Sequence, residues 1–327
     1  MSIKNHNIIK IALVFTGNVI GAGFATGSEL SHFFVRYGKF SFIGIIFSCM
    51  LFTLICRIVL LKIAVTGASN FTEYFADINK YFVKIMNFTV TAYLWASLCV
   101  MYSAGGAVFR RVQLPSRFGV WSVAVFCIAV LYFGAEGFVK LNRILTPVMI
   151  IGIIITAMTP FISVFSYSYL YSPILYSSYN TITAVPVLTA VSDYVDSIKT
   201  AVKASYLSGL FLILTALSLW FMLFYYGDLS AELPVLSTLN GFHRILYTVV
   251  LYIAVLTTAV GNGMGIIKNM GLKKRGSLLL LFLPAFFSQN SGLDILVSRL
   301  YPFFGGLGMI VLAVTITDGF EYLRKIE

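Results

Sequence analysis

The run Gly17-Asn18-Val19-Ile20-Gly21-Ala22-Gly23-Phe24-Ala25-Thr26-Gly27 lies in the middle of the first apolar segment, residues 8–37. A helix needs roughly 20 residues to cross the bilayer core, so the segment is too long for one plain span. Glycine weakens a helix by about 1 kcal/mol relative to alanine. One interpretation is a broken helix whose free peptide groups at residues 21–24 bind a ligand. The other is close helix packing, because the four glycines form two GxxxG pairs.

The composition indicates an integral membrane protein. Of 327 residues, 59% are hydrophobic and 11% are charged, and the mean hydropathy is +0.92, whereas a soluble domain carries about 25% charged residues. We therefore expect residues 1–327 to form a single polytopic transmembrane domain. The net charge of +11 does not indicate a nucleic-acid partner, because the basic residues lie in ones, twos and threes between apolar runs.

Features that would indicate an enzyme, a cofactor or a disulfide framework are missing from the sequence. The three histidines lack metal-ligand spacing, and no GxSxG, P-loop or HExxH motif occurs. The four cysteines lie in apolar runs without CxxC spacing, which predicts packed free thiols at Cys49, Cys56, Cys99 and Cys127. Two lysines precede the first segment as in a signal peptide, but no small-residue cleavage site follows, and we expect a retained helix.

Ten apolar segments predict ten transmembrane helices. They divide into five and five, which predicts two inverted repeats over about residues 8–163 and 172–317. The ninth segment is short for a span and must tilt little, borrow flanking residues or lie in thin bilayer. The segments are 8–37, 39–63, 81–108, 118–134, 141–163, 172–195, 203–226, 242–267, 276–289 and 300–317.

The lysines and arginines predict a cytoplasmic N-terminus. In this orientation fifteen basic residues lie on the inner side and seven on the outer side, with Arg57 inside the second segment. Cytoplasmic loops carry such an excess. Arg110, Arg111 and Arg117 run against the bias.

The sixth segment is the counterpart of the first and also contains residues that disfavour a regular helix. Ser177-Ser178-Tyr179-Asn180-Thr181 places five hydrogen-bonding side chains in a row, and Pro186 removes a backbone donor. Interrupted helices at corresponding positions of two halves indicate a transporter binding site at the bilayer midplane. The pairing favours functional breaks in helices 1 and 6, although prolines are common kinks in membrane helices.

Two adjacent hydroxyls occur in the eighth segment, at Thr257 and Thr258. On a helix they point about 100° apart, so one or both can face a cavity. Hydroxyl and carbonyl oxygens are the ligands that hard cations such as Na⁺ prefer. The simpler interpretation is that each threonine bonds a carbonyl of its own helix.

These residues resemble known families. The run Gly17-Asn18-Val19-Ile20-Gly21-Ala22-Gly23 looks like the unwound first helix of the LeuT-fold transporters, which include the neurotransmitter:sodium symporters, and Ala254-Val255-Leu256-Thr257-Thr258 is similar to their eighth-helix sodium-binding run. The run Gly21-Ala22-Gly23-Phe24-Ala25-Thr26-Gly27-Ser28-Glu29 more closely resembles the YkvI-like bacterial membrane proteins of the amino acid–polyamine–organocation superfamily. The resemblance spans most of the chain. It implies an all-α, LeuT-like 5+5 inverted repeat with discontinuous helices 1 and 6.

The resemblance also implies a site. One sodium ion would be held by five residues, namely by the carbonyls of Gly17, Ile20 and Ala254 and the hydroxyls of Thr257 and Thr258. A substrate carboxylate would bind the amides near Gly21, Ala22 and Gly23, at a half-helix N-terminus. Tyr179 and Asn180 would contribute from segment six, and Tyr102 would close the pocket. The sodium symporters place an asparagine for a second ion where this chain has Phe24, which puts a second sodium site in doubt.

Two charged side chains leave alternatives open. Glu29, with His32 one turn along the same face, is a proton carrier, a substrate-amine ligand or an outer-vestibule carboxylate paired with a base, and we prefer the third. Arg57 lies near enough to the inner end of segment two to snorkel with Lys62, and we prefer this to a role in an ion pathway.

These features predict a secondary active transporter, a symporter of a small zwitterionic or neutral solute such as an amino acid, coupled to Na⁺ and working by alternating access. The sequence has no charged residue that must lie at the bilayer midplane. A strongly charged substrate would need such a buried partner, so we do not expect one. The expected location is the bacterial cell (plasma) membrane. The alternatives are a proton-coupled carrier, a ligand-sensing receptor subunit of the same fold that resembles germinant receptors, and a purely structural bundle.

Overall fold

The computed structural model describes residues 3–157, 171–227, 229, 231, 233–272, 275–289 and 293–324. These residues form α-helices and short 3-10 helices, and no strand occurs among them. The α-helices are α1 Ile3–Val19, α2 Ala22–Thr26, α3 Ser28–Phe33, α4 Ser41–Thr66, α5 Phe71–Tyr74, α6 Lys80–Arg111, α7 Ser116–Leu131, α8 Gly134–Ala157, α9 Tyr171–Thr189, α10 Ile198–Tyr226, α11 Pro234–Thr238, α12 Gly241–Asn269, α13 Leu283–Ser288 and α14 Leu293–Arg324.

The first segment is interrupted where its glycines lie. Helix α1 ends at Val19 and α2 begins at Ala22, so the predicted break is confirmed. Between them Gly21 is extended, with φ −84° and ψ −171°, and its N–H bonds the carbonyl of Val19 only two residues back. A second interruption follows at Gly27, whose φ of +82° favours glycine.

The packing interpretation of the glycines also holds at one position. A β-carbon on Gly17 would overlap the side chains of Asn142 and Thr146 on α8. Gly17 therefore allows α8 to pack directly on α1 just before the break. The two interpretations of the run are both right, at different glycines.

The polar run does not interrupt the sixth helix, so the prediction of a break at that run is wrong. The segment leaves α-helical geometry only after Thr189, before a 3-10 helix at Ser192–Tyr194. Helix α9 runs from Tyr171 to Thr189 with Pro186 inside it. The polar side chains bond carbonyls of their own helix: Asn180 donates to Tyr176 at 3.0 Å and Thr181 to Ser177 at 2.7 Å. These two side chains meet part of their hydrogen-bonding capacity within α9 and do not require the backbone to open.

The short ninth segment is lengthened by its geometry. Residues Arg275–Phe282 form a 3-10 helix, which continues into α13 at Leu283–Ser288. A 3-10 helix rises about 2.0 Å per residue against about 1.5 Å in an α-helix, so the two together extend roughly 25 Å. This is close to the bilayer core thickness of about 30 Å.

The helices pack around the interrupted first segment. Helix α1 contacts α8, α9, α10 and α12, and α2 contacts α12. Helices at corresponding positions of the two predicted halves also pack in pairs, α4 with α10 and α6 with α12. Among the residues that the structure describes, five helices are long and apolar enough to cross a membrane: α4, α6, α8, α10 and α12. The break is therefore enclosed by other helices, and residues 17–27 are buried.

Candidate functional site

Four of the five predicted sodium ligands meet where α1 ends. The hydroxyls of Thr257 and Thr258 both donate to the carbonyl of Gly17, at 3.3 and 3.2 Å. Thr257 also lies 3.1 Å from the carbonyl of Ala254. The fifth residue, Ile20, is buried beside the break. The sequence alternative in which threonines bond their own helix also holds for Thr257, which lies 3.1 Å from the carbonyl of Ile253.

The peptide groups after the break begin a new helix. The amides of Ala22, Gly23 and Phe24 have no carbonyl one turn earlier in α2 to bond, because the helix starts at Ala22. Gly21 lies 3.4 Å, measured from an ideal β-carbon, from the Oγ1 of Thr258. The first amides of α2 therefore lie close to the threonine pair.

A carboxylate lies at the same place. The side chain of Glu29, 6% exposed, folds back onto Gly23 and fills the space that a β-carbon on Gly23 would need. The phenol of Tyr93 on α6 is hydrogen-bonded to Ser97 and interacts electrostatically with the Glu29 carboxylate. His32, one turn further along the first segment, bonds Arg36 at 3.3 Å.

Helix α9 reaches the site through a residue that the sequence analysis missed. The side-chain amide of Asn18 donates to the hydroxyl of Thr183 at 2.8 Å. Tyr179 packs its ring against Phe33, with centroids 5.8 Å apart, near the C-terminal end of the first segment, and the amide of Asn180 is used within α9. Asn18 stands inside the glycine run and was therefore visible as a candidate, whereas Thr183 lies beyond the polar run that we quoted.

The hydroxyl of Tyr102 bonds away from the other candidates, and its role in closing the pocket stays a prediction. Its hydroxyl donates to the carbonyl of Leu281 at 3.0 Å. Tyr102 therefore fixes α6 to the 3-10 helix of the ninth segment. The sequence placed it on the correct helix but did not determine which way its side chain points.

Several buried oxygens near the break have no hydrogen-bond donor within the described chain. They lie on the three helices that meet there, and they are Thr16 Oγ1 and Asn18 Oδ1 on α1, Ser177 Oγ on α9 and Asn262 Oδ1 on α12. A buried polar group without a partner destabilises a protein by about 1–3 kcal/mol. These atoms leave acceptors for a cation, water or a polar solute. No group of three or more His, Cys, Asp or Glu side chains suited to a metal ion occurs among the residues described.

A second charged cluster lies near the C-terminal end of α4, away from the break. The Nζ of Lys62, 1% exposed, bonds both carboxylate oxygens of Asp318 on α14, at 2.8 and 3.0 Å. Asp77 lies 3.4 Å from the same Nζ and accepts from the hydroxyl of Tyr322 at 2.6 Å. The prediction that Lys62 snorkels to the membrane surface is therefore wrong, because the ammonium is buried with its counter-charge.

Sequence and structure comparisons identify relatives over nearly the whole chain. YkvI, an uncharacterised membrane protein of Bacillus subtilis (strain 168), is 24% identical over 332 residues, 94% of each chain. YyaD of the same strain is 25% identical over 323 residues, 93% of this chain and 94% of YyaD. No family model matches the sequence.

Solved structures share the fold at low sequence identity. MhsT in complex with L-phenylalanine aligns with a TM-score of 0.68, at 13% identity, over 96% of this chain and 91% of MhsT. A manganese transporter of Eremococcus coleocola aligns with a TM-score of 0.61, at 14% identity, over 97% of this chain and 78% of the transporter. The interrupted first helix and its enclosing bundle are thus those of an established architecture: the chain is a homologue of the Bacillus subtilis membrane protein YkvI and has the LeuT fold.

Proposed function

We propose that the protein is a secondary active transporter, not an enzyme, that carries a small zwitterionic solute such as an amino acid together with Na⁺. The observation that carries the proposal is the meeting of the Thr257 and Thr258 hydroxyls with the Gly17 carbonyl at the end of α1. The fold is shared with solved proteins, among them a manganese transporter and MhsT in complex with L-phenylalanine.

The spacing of these oxygens suits a hard cation. Oxygen ligands hold Ca²⁺ at about 2.3–2.6 Å, so two ligands at right angles lie about 3.3–3.7 Å apart. Na⁺ has similar demands, and the hydroxyls stand 3.2 and 3.3 Å from the Gly17 carbonyl. With an ion bound, the hydroxyl lone pairs would face it, and the carbonyls of Gly17, Ile20 and Ala254 would complete the set.

The groups around residues 21–24 suit a zwitterion. The amides of Ala22, Gly23 and Phe24, which have no carbonyl partner within α2, would donate to a carboxylate, while the buried carboxylate of Glu29 beside Gly23 attracts an ammonium group. Of the three roles left open for Glu29, its position favours the substrate-amine ligand. Tyr179 and Asn180 on α9 would shape the outer part of the site.

Transport would proceed by alternating access. The two five-helix repeats, about 8–163 and 172–317, would rock around the interrupted helix. The excess of lysine and arginine on one side supports a cytoplasmic N-terminus. The protein would lie in the plasma membrane of a bacterial cell.

The test has two steps on the purified full chain. A thermal-shift screen of amino acids, each with Na⁺ and with choline, identifies the solute, because a ligand that binds only the folded state raises the melting temperature. Uptake of that solute into proteoliposomes is then measured with an inward Na⁺ gradient and with choline in its place. We expect uptake only with Na⁺.

Two other outcomes would contradict the proposal in different ways. Uptake that is unchanged in choline and follows a pH gradient would replace Na⁺ by a proton, with Glu29 as its carrier. Binding without net flux in sealed vesicles would make the protein a receptor of the same fold.

A further inference from the structure

An apolar groove runs along the outer face of the bundle between α4 and α10. It encloses about 410 Å³, and its lining includes Met50, Thr53, Arg57, Tyr206, Leu210 and Ile213. Met50 is 65% exposed, Tyr206 56% and Leu210 51%. Because α4 and α10 are both long enough to span the membrane, this groove faces lipid.

Arg57 places a positive charge in this groove. Its Nη1 donates to the hydroxyl of Tyr206 at 3.2 Å, and the guanidinium lies 5.9 Å from the centre of the Tyr206 ring. Its Nε is buried without a hydrogen-bond partner. Within the described part of the chain no carboxylate forms an ion pair with Arg57. A guanidinium has five N–H donors, so most of them remain available.

The depth of Arg57 indicates which part of a lipid it meets. Arg57 lies nine residues before the end of α4 at Thr66, which is about 13 Å along the helix axis. Helix α4 has 26 residues and exceeds the bilayer core by roughly 9 Å. If the excess is shared between both ends, the Arg57 backbone is about 9 Å below the core boundary, and its long side chain covers most of that distance.

A charge at this level is costly unless an anion meets it, because the bilayer core does not solvate an ionised side chain. Phosphate oxygens accept two parallel N–H bonds from a guanidinium. The rest of the groove wall is apolar and matches an acyl chain. The hydroxyl of Tyr206 accepts a hydrogen bond from the guanidinium and orients it.

We propose that this groove binds one phospholipid with an anionic headgroup, whose phosphate contacts Arg57 and whose acyl chain lies along Met50, Leu210 and Ile213. The lipid belongs to the leaflet on the side where α4 ends. It would bridge α4 and α10, which already pack along their length. The inference is independent of which solute the protein carries.

The experiment is native mass spectrometry of the purified full chain in detergent, titrated with phosphatidylglycerol or with phosphatidylcholine. We expect one phosphatidylglycerol per chain to bind at least tenfold more tightly than phosphatidylcholine. Arg57→Gln should weaken phosphatidylglycerol binding at least tenfold, and Arg57→Lys less, because lysine keeps the charge but loses the paired donors. Free glycerol phosphate at millimolar concentration should not compete.

A matched control is available in Arg275, whose Nη1 also bonds a tyrosine hydroxyl, that of Tyr132 at 2.9 Å, outside the groove. Arg275→Gln should leave phosphatidylglycerol binding unchanged. Equal binding by the wild type and Arg57→Gln, equal losses in Arg57→Gln and Arg275→Gln, equal affinity for the two lipids, or displacement by glycerol phosphate would each overturn the proposal. Tyr206→Phe, which keeps the charge and the ring, should lose affinity severalfold and separates lipid binding from misfolding of the Arg57 variants.

Discussion

Thr257 and Thr258 are adjacent, yet their hydroxyls have different surroundings. Thr257 lies near carbonyls of Ile253 and Ala254 as well as Gly17, whereas Thr258 bonds the Gly17 carbonyl alone. Thr258 thus has the hydroxyl that depends on α1. We expect Thr258→Ala to abolish the Na⁺ dependence of uptake, or to raise the Na⁺ concentration for half-maximal uptake at least tenfold, as measured in proteoliposomes.

The matched control for this substitution is Thr248→Ala. Thr248 lies on the same helix, and its hydroxyl bonds the carbonyl of Arg244 on its own helix at 2.7 Å. It should keep the Na⁺ dependence of the wild type. A Thr258→Ala protein with unaltered Na⁺ dependence would remove the threonine pair from the ion site.

The carboxylate of Glu29 occupies the space that a side chain on Gly23 would fill. Gly23→Ala should displace that carboxylate and lower solute uptake at least tenfold, and it should destabilise the fold by about 1–3 kcal/mol, as overpacking does. Uptake and thermal unfolding measure the two effects. Gly306→Ala, at a helical glycine with nothing within 4 Å of an added β-carbon, should change neither. Normal uptake by Gly23→Ala would show that the carboxylate can lie elsewhere during transport.

At this scale the sequence predicts groups whose spacing is set by one helix. Thr257 and Thr258 follow each other on α12, so their joint position was predictable once the helix was recognised. Tyr102 was not, because the direction of a side chain depends on its neighbours in space. The return of Glu29 onto Gly23 depends on the left-handed turn at Gly27, which the sequence only permits.

Helices α4 and α14 are joined by the buried pair Lys62–Asp318, whose side chains are 1% and 8% exposed. Removing Asp318 leaves the buried ammonium with only the exposed carboxylate of Asp77, 3.4 Å away. We therefore expect Asp318→Asn to destabilise the protein by about 3 kcal/mol, the lower end for a broken buried pair. The double variant Lys62→Met, Asp318→Leu should recover most of this loss, because it removes both charges. Thermal unfolding in detergent measures both variants. An unchanged melting temperature for Asp318→Asn would mean that the pair contributes nothing in the folded state.

The short helix α5 is held by a reciprocal cap. The Asn70 side chain accepts from the N–H of Glu73 at 2.9 Å, while the Glu73 carboxylate accepts from the N–H and hydroxyl of Ser69, both at 2.8 Å, and from Asn70. The pKa of Glu73 is lowered, chiefly by the hydrogen bond from the N–H of Ser69. Desolvation raises this pKa in part, and the side chains of Ser69 and Asn70 lower it further.

Because the folded pKa of Glu73 is below its ordinary value, the carboxylate stabilises the fold above that ordinary value, about 4.3. The contribution is lost as the pH falls through the lowered pKa. Glu73→Gln should therefore lower the free energy of unfolding at pH 7, by no more than about 1 kcal/mol for a cap. Its melting temperature should be below that of the wild type at pH 7, and the difference should vanish in acid. A difference that grows on acidification would contradict this assignment.

The contrast between the first and sixth helices shows what a sequence predicts at the scale of an element. Glycines favour the break after α1 because a residue without a β-carbon loses the most conformational freedom in a helix and adopts non-helical backbone angles easily. Asn180, Thr181 and Thr183 of α9 bond carbonyls of their own helix, so a similar density of polar groups leaves that helix intact. A polar run alone therefore does not distinguish a break from a satisfied helix.

The ten segments and their order were predictable because the lipid requirement for apolar length acts on each segment separately. Contacts between distant segments were not, since Lys62 and Asp318 are 256 residues apart in the chain. The orientation in the membrane stays a prediction from the basic residues. It places the loop of α5 inside the cell and the loop of α11 outside.

Cysteine labelling of intact cells tests that orientation. Ala76→Cys near α5 and Ser237→Cys on α11 both replace exposed residues, whereas Cys49, Cys56 and Cys127 are buried. A membrane-impermeant maleimide should label Ser237→Cys and not Ala76→Cys, and both should react after lysis. The wild type, with the partly exposed Cys99, sets the background. The reverse pattern would place the N-terminus outside.

The hydrogen bond from Asn18 to Thr183 fastens the last turn of α1 to α9 one residue away from the carbonyl that receives both threonines. These partners stand in opposite halves of the chain, 165 residues apart. A displacement of α9 must therefore drag the Gly17 carbonyl with it or break this bond. Through this hydrogen bond, a movement of α9 is coupled to the position of the Gly17 carbonyl, which lies one peptide away from Asn18.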